Sequence, residues 1–244
     1  MTWIKICGIT NLEDAQTAVD AGADALGFVF YEKSPRNIDP EVAREIVAKL
    51  PGQVEKVGVF VVGSDIEWDD IFCRVGLTAV QHQFSIKRKA QQSSQKAVCI
   101  DSFPRKARFF VSLPVTPFLG DEQAIKSLAA DFAHLRPEIP GQSPVSEGVF
   151  DTFFLDSGGS QQPGGTGQPF DWAKVVPIAE AMRNGGTKLV VAGGLTRFNV
   201  SEAIRTLHPW GVDVSSGVES RPGKKDPEKV RAFIAAVRET EKSA

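Results

Sequence analysis

Trp3-Ile4-Lys5-Ile6-Cys7-Gly8-Ile9-Thr10-Asn11-Leu12-Glu13-Asp14 stands almost at the start of the chain. A short apolar run ends in a cysteine and a glycine follows at once. Thr10-Asn11-Leu12-Glu13 then offers a capping box for a helix that carries Ala15, Ala18 and Val19 and stops at Gly22. A strand that hands a thiol to a strand-to-helix loop reads as a functional group at the mouth of an α/β fold. The same grammar returns far along the chain at Phe153-Phe154-Leu155-Asp156, where a strand delivers a carboxylate. A thiol and a carboxylate that face one pocket can act as a base and an acid.

Working outward, short apolar strands alternate with amphipathic helices from end to end. Strands are expected at Trp3–Cys7, Ala25–Phe30, Lys56–Val62, Ala79–Gln83, Phe109–Pro114, Thr152–Asp156, Lys188–Ala192 and Val212–Ser215. Most are continuous apolar runs, as parallel strands covered on both faces should be. Between them the helices carry readable punctuation. Asp39-Pro40-Glu41 starts one that should turn Val42, Ile46 and Leu50 inward. Asp65–Val75 is closed by Gly76, and Asp121–Leu135 is periodic through Ile125, Leu128, Ala129 and Phe132. Trp172–Met182 ends at Asn184-Gly185-Gly186, and Asn199–Leu207 precedes His208-Pro209. Asp226-Pro227-Glu228 caps a last helix that buries Val230, Phe233, Ile234 and Val237.

Eight strand units of roughly 30 residues each have the size of βα repeats, and eight such units make a (β/α)8 TIM barrel. The chain of 244 residues is therefore expected to be one barrel domain over residues 1–244. The competing doubly wound sheet lacks its dinucleotide fingerprint after the first strand. Residues 85–106 are basic, rich in glutamine and serine and weakly periodic, and predict a surface excursion or frayed helix. Residues 136–147, rich in proline and glycine, predict a second outer loop.

The charge is nearly balanced, with a formal net of -2, so a nucleic-acid partner has no broad electrostatic basis and any anion site must be local. No apolar run is long enough to cross a bilayer, so no membrane partner is expected. No basic segment followed by an apolar core opens the chain. The cysteines are Cys7, Cys73 and Cys99, an odd number without close spacing, and no histidine stands at a metal-ligand spacing. A disulfide framework and a metal site are not expected, and a cytoplasmic location fits best. Cys73 and Cys99 read as packing material, with Cys73 on the inner face of its helix.

In a barrel every strand's carboxyl end reaches one rim, where active sites lie. Cys7, Asp156, Gly193-Gly194 and Asp213 with Ser215-Ser216-Gly217 all fall there. The plain reading of Cys7 is a small packed residue, and that of Asp156 a helix cap; their shared rim favours chemistry. Gly193-Gly194-Leu195 and Ser215-Ser216-Gly217 follow the seventh and eighth strands, where barrels commonly hold phosphate on backbone N–H groups. A tight turn explains one glycine pair, but two such loops after these two strands favour an anion site. Gly164-Gly165-Thr166-Gly167 reads equally as a connector or a lid. Arg36, in Ser34-Pro35-Arg36-Asn37 after the second strand, is either a solvated charge or a fork for a carboxylate. His82 ends the fourth strand in Val80-Gln81-His82-Gln83 and is a candidate for the mouth, against a packed histidine.

These motifs together resemble phosphoribosylanthranilate isomerase, a family of tryptophan biosynthesis. The likeness rests on Lys5 to Thr10, Gly27-Phe28-Val29-Phe30 with Ser34-Pro35-Arg36, and Val57 to Val61. It continues through Leu155-Asp156 with Gly164 to Gly167 and Phe170-Asp171-Trp172, Ala192 to Leu195 with Asn199-Val200, and Asp213 to Glu219 with Gly223-Lys224-Lys225-Asp226. It runs over nearly the whole chain in order. The resemblance implies an Amadori rearrangement of N-(5-phosphoribosyl)anthranilate, a small phosphosugar, with Cys7 as general base and Asp156 as general acid. It implies Arg36 near the anthranilate carboxylate, phosphate on Gly193, Gly194, Ser215, Ser216 and Gly217, and Asp213, Gly164, Gly165 and His82 close to substrate. Proton transfer alone suffices for this reaction, so no cofactor is expected. A monomer or homodimer is expected.

The thiol needs positive surroundings to ionise. Lys5, read as a neighbour of Cys7 and not as sharing its face, is given no part in that. The family's fourth strand normally ends Val-Gln-Leu-His-Gly, where this chain has Val80-Gln81-His82-Gln83-Phe84. Two rivals remain: a histidine-pathway aldose isomerase, which uses two aspartates where this chain has a cysteine and an aspartate, and a barrel that binds phosphate without turnover.

Overall fold

The computed structural model describes residues 1–61, 68–83, 108–134, 152–158 and 169–243. Eight parallel strands close into a barrel in sequence order: β1 (Trp3–Cys7), β2 (Ala25–Phe30), β3 (Glu55–Val61), β4 (Ala79–Gln83), β5 (Arg108–Pro114), β6 (Thr152–Asp156), β7 (Lys188–Val191) and β8 (Gly211–Val214). The expected (β/α)8 architecture is the observed one, with strand limits moved by a residue at most. The expected features at residues 85–106 and 136–147, the first turn of the helix from Asp65, and Cys99 lie outside the described residues.

Seven helices follow among the described residues: α1 (Leu12–Asp20), α2 (Pro40–Val47), α3 (Trp68–Val75), α4 (Glu122–His134), α5 (Val176–Asn184), α6 (Val200–Leu207) and α7 (Pro227–Lys242). None is long and apolar enough to cross a membrane. A short antiparallel ribbon, β9 (Glu219–Arg221) with β10 (Lys224–Lys225), interrupts the path from β8 to α7.

The alternation of each strand divides the core into two shells. Ile4, Ile6, Leu26, Phe28, Phe60, Val80, Leu155, Val191 and Val212 point outward to the helices. Ala25, Val57, Ala79, Phe110, Phe154 and Val190 point inward. The amino-terminal end of the interior is floored by rings. Trp3 stacks on Trp210 at 5.1 Å and meets Phe110 and Phe154 edge-on at 5.9 and 6.2 Å. Above this floor the inward positions are largely polar, with Lys5, Gln81, Ser112, Asp156 and Asp213 all buried beside Val29 and Val59. An apolar base and a polar upper layer leave the carboxyl end of the barrel as the place for chemistry.

Local punctuation differs from expectation in three places. The cap of α1 is Asn11, whose side chain accepts the Asp14 N–H at 3.0 Å, and not Thr10. Thr10 Oγ1 instead donates to the Gly223 carbonyl, which ties β1 to the β9–β10 ribbon. In α2 the buried stripe is Ala43, Ile46 and Val47, while Val42 is 44% exposed. The i, i+3, i+4 pattern centres one position beyond Val42. Cys73 is exposed and not on the inner face of α3, which is formed by Ile71, Phe72 and Val75.

The caps at α2 and α7 are as expected. Asp39 accepts the N–H groups of Glu41 and Val42, and Asp226 those of Glu228 and Lys229. The ring floor should contribute to stability. Phe110→Ala is expected to cost about 3–5 kcal/mol in urea unfolding, the usual loss for an emptied aromatic core position.

Candidate active site

The carboxyl ends of the strands surround a cavity of about 330 Å3. Cys7 from the end of β1 and Asp156 from the end of β6 both line it, and each is only 9% exposed. Arg36, Gly193, Gly194, Asp213, Ser215 and Ser216 line the same space. These members of the sequence-derived rim set are thus brought together from the ends of five strands, β1, β2, β6, β7 and β8. Gly217 sits just behind the wall. Gly164 and Gly165 lie outside the described residues.

Two loops form one flank. After β7 the chain turns at Gly193, whose φ of +81° and close approach to Ser157 exclude a β-carbon. Asn199 braces the loop, accepting the Thr196 N–H at 2.7 Å and donating to the Gly194 carbonyl at 3.0 Å. After β8, Gly217 packs so tightly on the Leu195 carbonyl that any side chain would collide with it. The two loops are therefore fitted against each other. Ser215 Oγ, in the loop after β8, is buried beside Gly8 and has no hydrogen-bond partner among the described residues.

Arg36 lies beside this hydroxyl, its stem packed over Gly8. Its Nε and one terminal nitrogen donate to the two oxygens of Glu219, both at 2.8 Å. Glu219 also accepts from the fully buried Lys225 at 3.0 Å, and Lys225 donates to the Ser215 carbonyl at 3.2 Å. Burial alone would raise the Glu219 carboxyl, but Arg36 and Lys225 outweigh it and hold it below its ordinary value. The arginine is thus neither a solvated charge nor a free fork: two of its five N–H donors are spent on its brace, and the rest of the guanidinium belongs to the cavity wall.

Cys7 and Asp156 are perturbed by burial first. Burial pushes the Cys7 thiol up; the Lys5 charge pulls it down, Asp213 pushes it up again, and Lys225 pulls it down. Asp156 is raised from 3.8 to about 6, by burial and by the Asp213 charge, against a hydrogen bond from the Gly158 N–H and the charge of Lys5. That hydrogen bond is 2.9 Å long. An acid that is still partly protonated near neutrality and a nearby thiol can exchange protons with one ligand.

Lys5 was missed in the sequence, and the signal was available. It stands two residues before Cys7, so strand alternation sends both side chains into the barrel. Its ammonium is fully buried and pairs with Asp213 at 2.9 Å. His82 is corrected the other way. It is one residue past the inward Gln81, so it points outward, against Phe60 at 6.2 Å and edge-on to Trp68 at 5.2 Å. Burial there lowers its pKa. It occupies the outward slot that a leucine takes in the family's pattern, while Gln81 lines the cavity with an unpartnered Oε1.

Residues 4–104 and 138–236 match the family model described as N-(5'phosphoribosyl)anthranilate (PRA) isomerase. The chain belongs to the phosphoribosylanthranilate isomerase family. An N-(5'-phosphoribosyl)anthranilate isomerase of Pelobacter propionicus is 39% identical over 240 residues, which cover 98% of this chain and 97% of that protein. The crystal structure of the Thermotoga maritima phosphoribosyl anthranilate isomerase superposes with a TM-score of 0.73 at 33% identity, covering 98% of this chain and all of that one. A phosphoribosyl anthranilate isomerase crystallised with reduced 1-(o-carboxyphenylamino)-1-deoxyribulose 5-phosphate gives 0.71 at 33% identity, with coverage of 98% and 100%.

The raised Asp156 carboxyl is a stability cost carried by the site. A folded value of about 6 against 3.8 means that ionisation penalises the fold as pH rises from about 4 to 6. Asp156→Asn should therefore raise stability by up to about 3 kcal/mol at pH 7.5, with the gain vanishing below pH 4 in paired urea titrations.

Proposed function

We infer that the chain isomerises N-(5-phosphoribosyl)anthranilate to 1-(2-carboxyphenylamino)-1-deoxyribulose 5-phosphate. The observation that carries this reading is the meeting of Cys7 and Asp156 at one cavity, with the loops after β7 and β8 and a braced arginine, in a chain of this family.

Each group has a chemical task. The Asp156 carboxyl donates its proton to the ribose ring oxygen as the bond from that oxygen to carbon 1 breaks. The ring opens to a Schiff base protonated at nitrogen. The Cys7 thiolate then takes the proton from carbon 2, and the freed electron pair forms an enol-amine that tautomerises to the ketone. Only protons move, so a general acid and a general base are sufficient, each contributing about 10²–10⁴-fold. The cradle of Gly193, Gly194, Ser215, Ser216 and Gly217 takes the phosphate. The guanidinium of Arg36 faces the anthranilate carboxylate, and Asp213 lies near the sugar. Fixing both ends of the substrate places carbon 1 and carbon 2 between acid and base. Phosphate or carboxylate alone would not specify a reacting bond; together they set its position.

All of these groups come from one chain, so a monomer and a homodimer would serve equally well. A catalytic thiol kept free fits a cytoplasmic setting.

Cys7→Ala and Asp156→Asn should each remain folded and retain inhibition by inorganic phosphate, yet lose about 10²–10⁴-fold in kcat when anthranilate fluorescence is followed with freshly made substrate. Near-wild-type turnover in either variant removes that residue from the mechanism. The pH profile gives an independent check. The working state needs the thiol ionised and the carboxyl protonated, so it exists only where the pair together has lost one proton. Log kcat/KM should rise through pH of about 6, where Asp156 titrates in the free protein, and fall above the ordinary thiol range.

A further inference from the structure

The reacting pair sits on a patch of buried charge that the mechanism above leaves unused. Lys5 is inside the barrel with no exposed surface, one layer beneath Cys7 on the same face of β1. Its strand-register partner across β1 and β8 is Asp213, and the two side chains form an ion pair of 2.9 Å. Its ammonium also lies 5.1 Å over the Phe154 ring, part of the apolar floor. On the other side of β1, Cys7 is in register with Gly27. A β-carbon on Gly27 would stand 2.8 Å from Cys7 Sγ and 3.0 Å from Lys5 Cε. The sulfur and the lysine stem thus share the niche that the missing side chain leaves open. Any larger residue at position 27 would part them.

A lysine at this depth is expensive unless it serves a charge. Asp213 alone would satisfy it, but the pair is placed so that both reacting groups feel it. The charged groups facing Cys7 are Lys5 from its own strand, Asp213 from β8 and Lys225 from β10, with Asp156 on β6 across the cavity. Arg36 and Lys225 are both held by Glu219. Among the described residues the buried cations Lys5, Lys225 and Arg36 stand against the carboxylates Asp213 and Glu219, one positive charge in excess, and Lys33 lines the same cavity. That excess charge is balanced when one member of the Cys7–Asp156 pair is ionised.

We propose that Lys5 is a positioning residue of the isomerase: clamped by Asp213, it is the buried counter-ion that lets the Cys7 sulfur carry a negative charge. This rests on the reading of Cys7 as base and adds the source of its ionisation. Lys5 acts through the sulfur and touches no reacting atom. The two members of the clamp have opposite effects. Lys5 draws the thiol proton off, and Asp213 holds it on. The same two residues act with the same signs on Asp156.

The test is the ionisation of Cys7 in the free protein, measured without substrate. The rate of alkylation by iodoacetamide is followed against pH on the Cys7 peptide by mass spectrometry, which separates it from Cys73 and Cys99. Asp213→Asn, which keeps the lysine, should move the Cys7 titration to lower pH and speed alkylation at pH 7 several-fold. The paired replacement Lys5→Met with Asp213→Asn leaves no unpartnered buried charge and is the variant expected to fold. It should move the titration to higher pH and slow alkylation at pH 7 by about tenfold, the effect of one pKa unit on the thiolate fraction. Its kcat should fall with it and recover in part as the assay pH is raised. A Cys7 titration that stays in place in both variants, or moves the same way in both, overturns the proposal. Normal turnover in Cys7→Ala would instead remove the base role of the sulfur while leaving an opposed pair of shifts intact, so the two failures are distinguishable.

Discussion

The barrel closes where β1 meets β8, and that seam is what the site depends on. Trp3, Ile4, Lys5 and Ile6 pair in register with Gly211, Val212, Asp213 and Val214. A shift of one residue would turn Lys5 and Asp213 to opposite faces, strand an ammonium in an apolar shell and carry Cys7 out of the cavity. The ion pair therefore does more than satisfy two buried charges. It penalises every other register at the point where the ring closes, the kind of specificity for which buried ionic groups are best suited. With closure fixed, the other strand ends converge on one rim without further instruction.

Around that seam the protein prepares the site before a ligand arrives. Gly217 against Leu195 and Asn199 on Gly194 hold the loops after β7 and β8 in one shape. Glu219 holds Arg36 from one side and Lys225 from the other, so one carboxylate links the loop after β2 with the loop after β8. Groups set in this way need little rearrangement as charge develops on a substrate, which is where preorganised sites gain most. The cost is visible in Asp156, whose buried carboxyl burdens the fold at neutral pH. The aromatic floor and outer shell supply the stability that carries this burden.

Much of this was legible in the sequence, for identifiable reasons. Continuous apolar strands and capped helices gave the barrel, because burial on both faces leaves an unmistakable pattern. Cys7, Asp156 and the glycine loops were legible because each ends a strand. Lys5 and His82 were misjudged for one shared reason: parity along a strand was not followed. Counting by two from Cys7 reaches Lys5 inside, and counting by one from Gln81 puts His82 outside. The brace from Glu219 to Arg36 could not be read at all, since 183 positions separate the partners and only the closed ring makes them neighbours. Val42 and Thr10 show the smaller limit, where a helix pattern fixes the element but leaves its rotation or its first residue open by one position.

The packed rings of Trp3, Trp210, Phe110 and Phe154 have a consequence for exchange with solvent. They seal the far end of the interior, so whatever enters at the rim must leave by the same doorway. Among the described residues the cavity opens at the carboxyl-end rim, so a product that resembled its substrate would compete with it for one berth.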